Sequence, residues 1–258
     1  IMDNLFFKEE HKMIQNMVCD FAKDEILPVA KELDKNGSFP RKIVKKMGQL
    51  GLMGINVPSK YGGSDLDTVA YSTAIIELAK VDASVAITMA SHTSLGTLPL
   101  LLFGNERLKK KHLPNIASGK ILSALGLTEP HAGSDIESIK TTATKAGEKY
   151  IINGEKIFIT NAGEAGLLSF TSRVVEKGND KGIGVFIVST DINGLRIGEK
   201  ENKMGWRASD TRSVYFENME VDFSSMFYFS KNGINKFLKG LTLGRISIGA
   251  LSVGTAKA

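Results

Sequence analysis

The chain has 258 residues, 42% hydrophobic and 24% charged, with a formal net charge of +5. That length exceeds one typical domain and can bury a sizeable core, and the balance is that of an ordinary soluble globular protein rather than a disordered or fibrous one. The single cysteine, Cys19, excludes an intramolecular disulfide and a cysteine metal cage, and His11, His92, His112 and His131 lack any paired-histidine spacing, so no metal is expected.

Up to about residue 118 the pattern is helical. Met13, Met17 and Phe21 recur every four residues, with Val18 beside them, until Pro28 interrupts. A second helix starts at Pro40, turns Ile43, Met47 and Leu50 inward and ends at Gly51. Tyr61 to Asp65 make a turn, and a third helix follows from about Thr68. Val81 to Phe103 carry only Asp82 as a charge, a composition a membrane span could share. Ser84, Thr88, Ser91, His92, Thr93, Ser94, Thr97 and Pro99 make the segment too polar and too broken for that, so a buried helix is expected and no membrane partner. Cys19 reads as a small buried hydrophobe, and Lys109 to Lys111 as a solvated helix face. The basic residues are spread out and not interleaved with aromatics, so no nucleic-acid partner is expected.

From about residue 121 the period changes to two. Ile121–Leu127, Lys140–Thr144, Lys149–Ile152 and Lys156–Thr160 read as strands, with Asn153-Gly154 as a hairpin turn. Leu167–Val175, Gly184–Ser189 and Ser213–Phe216 continue the pattern, with 176–182 as a polar loop. Short strands at this spacing predict an antiparallel barrel or sandwich. Helix returns after about residue 228, with Ile234, Phe237, Leu238 and Leu241 on one face. The expected organisation is α+β: a helical domain over 1–120, an antiparallel β-barrel or sandwich domain over 121–229, and the start of a C-terminal helical bundle over 230–258.

Two segments carry chemistry. Leu125-Gly-Leu-Thr-Glu-Pro-His-Ala-Gly-Ser-Asp135 leaves a buried strand and exposes backbone N–H groups with the hydroxyls of Thr128 and Ser134. Gly154-Glu-Lys-Ile-Phe-Ile-Thr-Asn161 offers Phe158 as a flat apolar surface and Thr160 as a hydroxyl beside it. Such a rim suits a large planar ring with polar edges and a phosphate, and a flavin fits best. Taken singly the residues read otherwise. Phe158 alternates like a core residue, Thr128 and Ser134 form turns, and Glu129-Pro130 is punctuation.

At these motifs the chain resembles the acyl-CoA dehydrogenase family. The likeness extends to Asn105–Pro114, to Lys203-Met-Gly-Trp-Arg-Ala-Ser-Asp-Thr-Arg212 and to Gly244-Arg-Ile246 onward. The resemblance implies FAD as cofactor, held by Leu125, Gly126, Leu127, Thr128, Gly133 and Ser134 on one side and Phe158, Ile159 and Thr160 on the other. It implies an acyl-CoA substrate reached by Ser134 and flanked by Thr242, Leu243, Gly244 and Arg245, although many relatives carry Asp where Thr242 stands. It further implies α,β-dehydrogenation of short- or medium-chain acyl-CoA thioesters, with electrons passed to electron-transferring flavoprotein. A homotetramer and a cytoplasmic location, or the mitochondrial matrix in a eukaryote, complete the expectation.

That reaction needs a base for the Cα proton and hydrogen bonds to the thioester carbonyl. In most of the family the base is a glutamate well beyond the first C-terminal helix; in a minority it stands just before the residue matched by Arg245, which here is Gly244. No catalytic base is therefore expected within this chain, and one is expected beyond Ala258. Two alternatives accompany this reading: a flavin-dependent monooxygenase or oxidase of the same fold, and a non-catalytic truncated remnant.

Overall fold

The computed structural model describes residues 7–258. Helix α1 (Glu9–Phe21) does not stop at Pro28. It passes through a π-turn (Ala22–Ile26) into α2 (Leu27–Asn36), and the wider turn just before Pro28 accommodates a residue that has no N–H to donate. Val18 and Phe21 face the core, but Met13 is exposed and Cys19 only half-buried, contrary to expectation. Helix α3 (Arg41–Gln49) buries Ile43 and Met47 as predicted. Leu50 lies at its end and stays exposed, because the helix stops before that face returns inward.

Helices α4 (Thr68–Ala79) and α5 (Ala83–Ser91) each begin on an aspartate. Asp67 Oδ1 accepts from Val69 N and Ala70 N, and Asp82 Oδ1 from Ser84 N and Val85 N, satisfying first-turn donors that would otherwise be orphaned. Beyond α5 the helix loosens into a π-turn (His92–Thr97) and runs on as α6 (Leu98–Phe103). By length and composition 83–103 could cross a membrane, yet most of it is buried inside the protein. Its hydroxyls bond back to the helix: Thr88 Oγ1 donates to Ser84 O (2.8 Å) and Ser94 Oγ to Ala90 O (2.7 Å). Helix α7 (Glu106–Ala117) leads into the sheet.

The eight strands are β1 (Leu122–Gly126), β2 (Thr142–Ala146), β3 (Lys149–Thr160), β4 (Ala165–Glu176), β5 (Asn179–Ser189), β6 (Leu195–Lys200), β7 (Thr211–Asp222) and β8 (Met226–Ser230). Their order is β6-β7-β3-β2-β4-β5-β8, and β1 also pairs with β4. The sheet is mixed and does not close: β1 and β2 both run parallel to β4, end to end along one side of it. This differs from the antiparallel barrel or sandwich predicted, because the 127–141 loop sends the chain on in the same direction instead of reversing it.

Asn153-Gly154 is not a hairpin turn. Strand β3 is continuous through it, with Gly154 at φ 140° beside a bulge on β7, and the β2–β3 reversal is made instead at Gly147 (φ 59°) and Glu148. The polar segment 176–182 is likewise mostly strand, since β4 and β5 pair down to Glu176 and Asn179 around Lys177 and Gly178, both at positive φ.

One apolar core joins helices and sheet, from Val18 and Met47 through Tyr71 and Met89 to Phe170 and Phe216. The Phe170 ring lies 4.4 Å from Phe216 and stacks on Phe186 at 5.6 Å. Helix α8 (Asn235–Gly240) seals the sheet with Phe237, and α9 (Thr242–Ala256) packs Ala250 and Leu251 against α4 and α5.

Candidate functional site

The site begins with a misfit in β3. Tyr150, Ile152 and Lys156 share one parity of the strand and point inward, so strict alternation would bury Phe158 as well. Instead β3 carries an extra residue: Lys156 pairs with Val214 and Ile159 with Arg212, leaving Ile157 and Phe158 against a single partner residue. The bulge reverses the alternation. Ile159 becomes 3% exposed and Phe158 63% exposed. Phe158 sits at φ 58°, a left-handed conformation that is an outlier for a bulky residue and costs about 1–3 kcal/mol. Such strain marks a side chain re-aimed for a purpose other than packing.

Beside this bulge runs the 127–141 loop. Its near end is fixed where Ile157 N donates to Thr128 O (2.9 Å). Thr128 therefore lies beside the stretch of β3 that carries Phe158 and ends at Thr160. Among the described residues the hydroxyls of Thr128, Ser134 and Thr160, and the N–H of Thr128, make no hydrogen bond to protein.

The loop is stapled from within by Glu129, buried at 2% exposure. Its carboxylate accepts from Lys140 N (2.6 Å), from Thr141 N (3.1 Å) and from the fully buried Lys156 Nζ (2.7 Å). Lys156 Nζ also donates to Thr171 Oγ1 (3.0 Å) and Leu127 O (3.4 Å). Burial pushes the Glu129 carboxyl up, but the Lys156 charge, with hydrogen bonds from Lys156, Thr141 and Lys140, outweighs it and holds the group below its ordinary value. Burial pushes the Lys156 ammonium down to about 8, against the opposing pull of Glu129.

On the far side of Thr160 the chain turns under a second buried acid. Asp210 accepts from Gly163 N (2.6 Å) and Arg212 Nε (2.7 Å), and its own carbonyl accepts from Asn161 N (2.8 Å). Asn161, at φ 68°, reaches Thr88 O with Nδ2 (3.1 Å) and so ties the turn to α5.

Thr160 thereby borders a cavity of about 600 Å³ between α5 and α9. Ile87, Ser94 and Leu95 line it from one side, and Gly244, Arg245 and Ile248 from the other. No acidic side chain lines it among the described residues. A Cβ at Gly244 would meet Leu95 and Ser94 at 3.5 Å, ordinary contact, so the glycine widens the cavity without being sterically required. Behind the wall the Tyr71 hydroxyl donates to Ala90 O (3.1 Å), and burial pushes it up to about 12. His92, wholly buried, accepts Ser123 N at Nδ1 (3.1 Å), and burial holds it down at about 4, so it is a neutral structural group.

The predicted residues therefore divide. The Thr128 carbonyl meets Ile157 N beside Phe158, Gly244 and Arg245 share a cavity with Thr160, and Leu127 packs half-buried on the apolar cluster of Leu125 and Phe237. Leu125 and Gly126 are buried in the sheet, and Ile159 faces the core. Gly133 and Ser134 are exposed on the loop and do not line the cavity. Thr242 donates its hydroxyl to Lys239 O (2.6 Å), and Leu243 packs half-buried on the core, so neither reaches the cavity. Glu129 and Lys156 were missed as functional residues. Lys156 was legible in principle, as the only charge in β3 on the parity of Tyr150 and Ile152.

Residues 8–120 match the family model described as acyl-CoA dehydrogenase, N-terminal domain, and residues 124–219 that of the middle domain. An acyl-CoA dehydrogenase of Bacillus subtilis is 44% identical over 251 residues, 97% of this chain and 66% of that protein. The butyryl-CoA dehydrogenase of Megasphaera elsdenii superposes with a TM-score of 0.90 at 35% identity, over 96% of this chain and 66% of that one. An acyl-CoA dehydrogenase of Bacillus anthracis complexed with FAD superposes with a TM-score of 0.91 at 36% identity, over 98% of this chain and 44% of that one. The chain thus spans about two thirds or less of the length of these relatives. The fold agrees with theirs, and the chain belongs to the acyl-CoA dehydrogenase family.

Proposed function

We propose that the chain holds FAD on the rim formed by 127–134 and 158–160, and an acyl-CoA thioester in the cavity beside Thr160, for α,β-dehydrogenation of short- or medium-chain acyl groups. The observation that carries this reading is the β3 bulge. It turns an aromatic ring outward at a strained φ, next to hydroxyls and an N–H that make no hydrogen bond to protein among the described residues. Uncommitted donors around an exposed ring face fit the edge of a planar heteroaromatic cofactor.

FAD, when bound, supplies the two-electron acceptor. Of the chain's own residues, Phe158 would cover a face of the ring, the Thr128 N–H and the Thr128 and Thr160 hydroxyls would hydrogen-bond its edges, and Ile87, Leu95 and Ile248 would keep water from the acyl chain. Arg245, in the first turn of α9, favours the anionic end of a CoA ester, helped by the positive end of that helix. Ser134 is assigned to the CoA portion by family likeness. Within these residues we assign no base, in keeping with a cavity lined by no acid. Electron-transferring flavoprotein as acceptor, a homotetramer, and a cytoplasmic or matrix location follow the family. The apolar exposure of Ile246, Ile248 and Val253 on α9 agrees with further packing there.

Titrating the protein with FAD while following flavin fluorescence tests the reading. Stoichiometric quenching, and a shift of the bound flavin's absorption on adding butyryl-CoA, are expected. A protein that takes up no FAD would refute it.

A further inference from the structure

The Glu129–Lys156 pair does more than stitch a loop. Lys156 Nζ lies 3.4 Å from Leu127 O, and that carbonyl belongs to the same peptide unit as the Thr128 N–H. In a trans peptide the two groups point opposite ways, so an ammonium on the carbonyl side polarises the N–H on the other side. The Thr128 N–H makes no hydrogen bond to protein among the described residues. It belongs to the same residue whose carbonyl accepts from Ile157 N, next to Phe158 on the neighbouring strand.

Lys156 is held there by several fixed partners. Its ammonium donates one hydrogen bond to Glu129 Oε1 (2.7 Å) and another to Thr171 Oγ1 (3.0 Å), and the side chain is fully buried. Glu129 in turn is pinned by Lys140 N and Thr141 N, at the far end of the loop. The loop is therefore tied to the sheet through a buried ion pair.

Resting on the FAD reading, we propose that Lys156, oriented by Glu129, is a positioning residue that makes the Thr128 N–H a charge-assisted donor to the flavin edge and thereby favours the electron-rich reduced cofactor over the oxidised one. A ring that gains negative charge on reduction gains more from such a donor than a neutral ring does.

The test is made on the protein loaded with FAD, comparing the unaltered chain with Lys156→Gln and with the double variant Glu129→Gln/Lys156→Met. The double variant leaves no unpaired buried charge and keeps the test decisive if the single variant does not fold. Lys156→Arg, which keeps the charge, serves as the rescue. The readout is the flavin midpoint potential against a reference dye. Loss of the charge is expected to lower the ratio of reduced to oxidised FAD affinity about tenfold, the scale separating charge-assisted from neutral hydrogen bonds. For a two-electron couple tenfold is about 30 mV. Lys156→Arg should recover most of it. Neutral variants that bind FAD with an unchanged potential overturn this proposal alone. Failure of the unaltered protein to take up FAD removes the cofactor reading and this proposal together.

Discussion

Replacing Phe158 with glycine should separate what this residue does for the fold from what it does for the site. A left-handed φ costs an ordinary L-residue about 1–2 kcal/mol, which glycine does not incur. Against that, glycine loses roughly 0.5–1 kcal/mol more backbone entropy on folding. With 63% of Phe158 exposed, little buried apolar contact is forfeited. Cofactor-free Phe158→Gly is therefore expected to be as stable as the parent or up to about 1 kcal/mol more stable, a rise of at most roughly 4 °C in melting temperature. FAD affinity should move the other way. An aromatic contact is worth about 0.5–1.5 kcal/mol beyond its area, so binding should weaken by roughly two- to tenfold. Urea unfolding without cofactor and fluorescence titration with FAD measure the two halves. A loss of more than about 1 kcal/mol in stability would mean that Phe158 packs as a core residue, and unchanged FAD affinity would mean that its strain serves something else.

Two further outcomes are expected. His92 is held at about 4 by burial and is expected near 6.5 when unfolded, so the unfolded chain binds the extra proton between those values. Stability present above pH 6.5 should fall by about 3 kcal/mol on acidification to pH 4, and His92→Gln should flatten that part of the profile in chemical denaturation. Gly244→Leu adds bulk at a position where only the Cβ finds ordinary contact, in a cavity of about 600 Å³. It should leave FAD uptake intact but weaken butyryl-CoA binding at least tenfold by calorimetry, and unaltered binding would place the ligand elsewhere.

Much of this was legible in the residues. The change from helical to twofold periodicity near residue 121 and the buried character of 83–103 both follow from local pattern. What local pattern hides is register. Asn153-Gly154 has the composition of a hairpin turn, yet its glycine serves a bulge, because β7 pairs along the whole of β3. The parallel placement of β1 and β2 on β4 depends on partners about 40 and 30 residues away along the chain, beyond the reach of any short window. Glu129 looked like punctuation because its partners, Lys140, Thr141 and Lys156, follow 11 to 27 residues later. Thr242 and Leu243 were carried over by likeness, but helical geometry sends only two of four successive residues to the cavity.

The pairing of Thr160 with Thr211 also bears on the order in which the molecule is built. The aromatic wall at Phe158 acquires its bulge only against β7, and the turn behind Thr160 is closed by Asp210. On the ribosome a nascent chain therefore emerges with a half-made pocket until some fifty further residues have followed, which predicts that the cofactor is captured late, by a nearly finished sheet, instead of seeding its assembly.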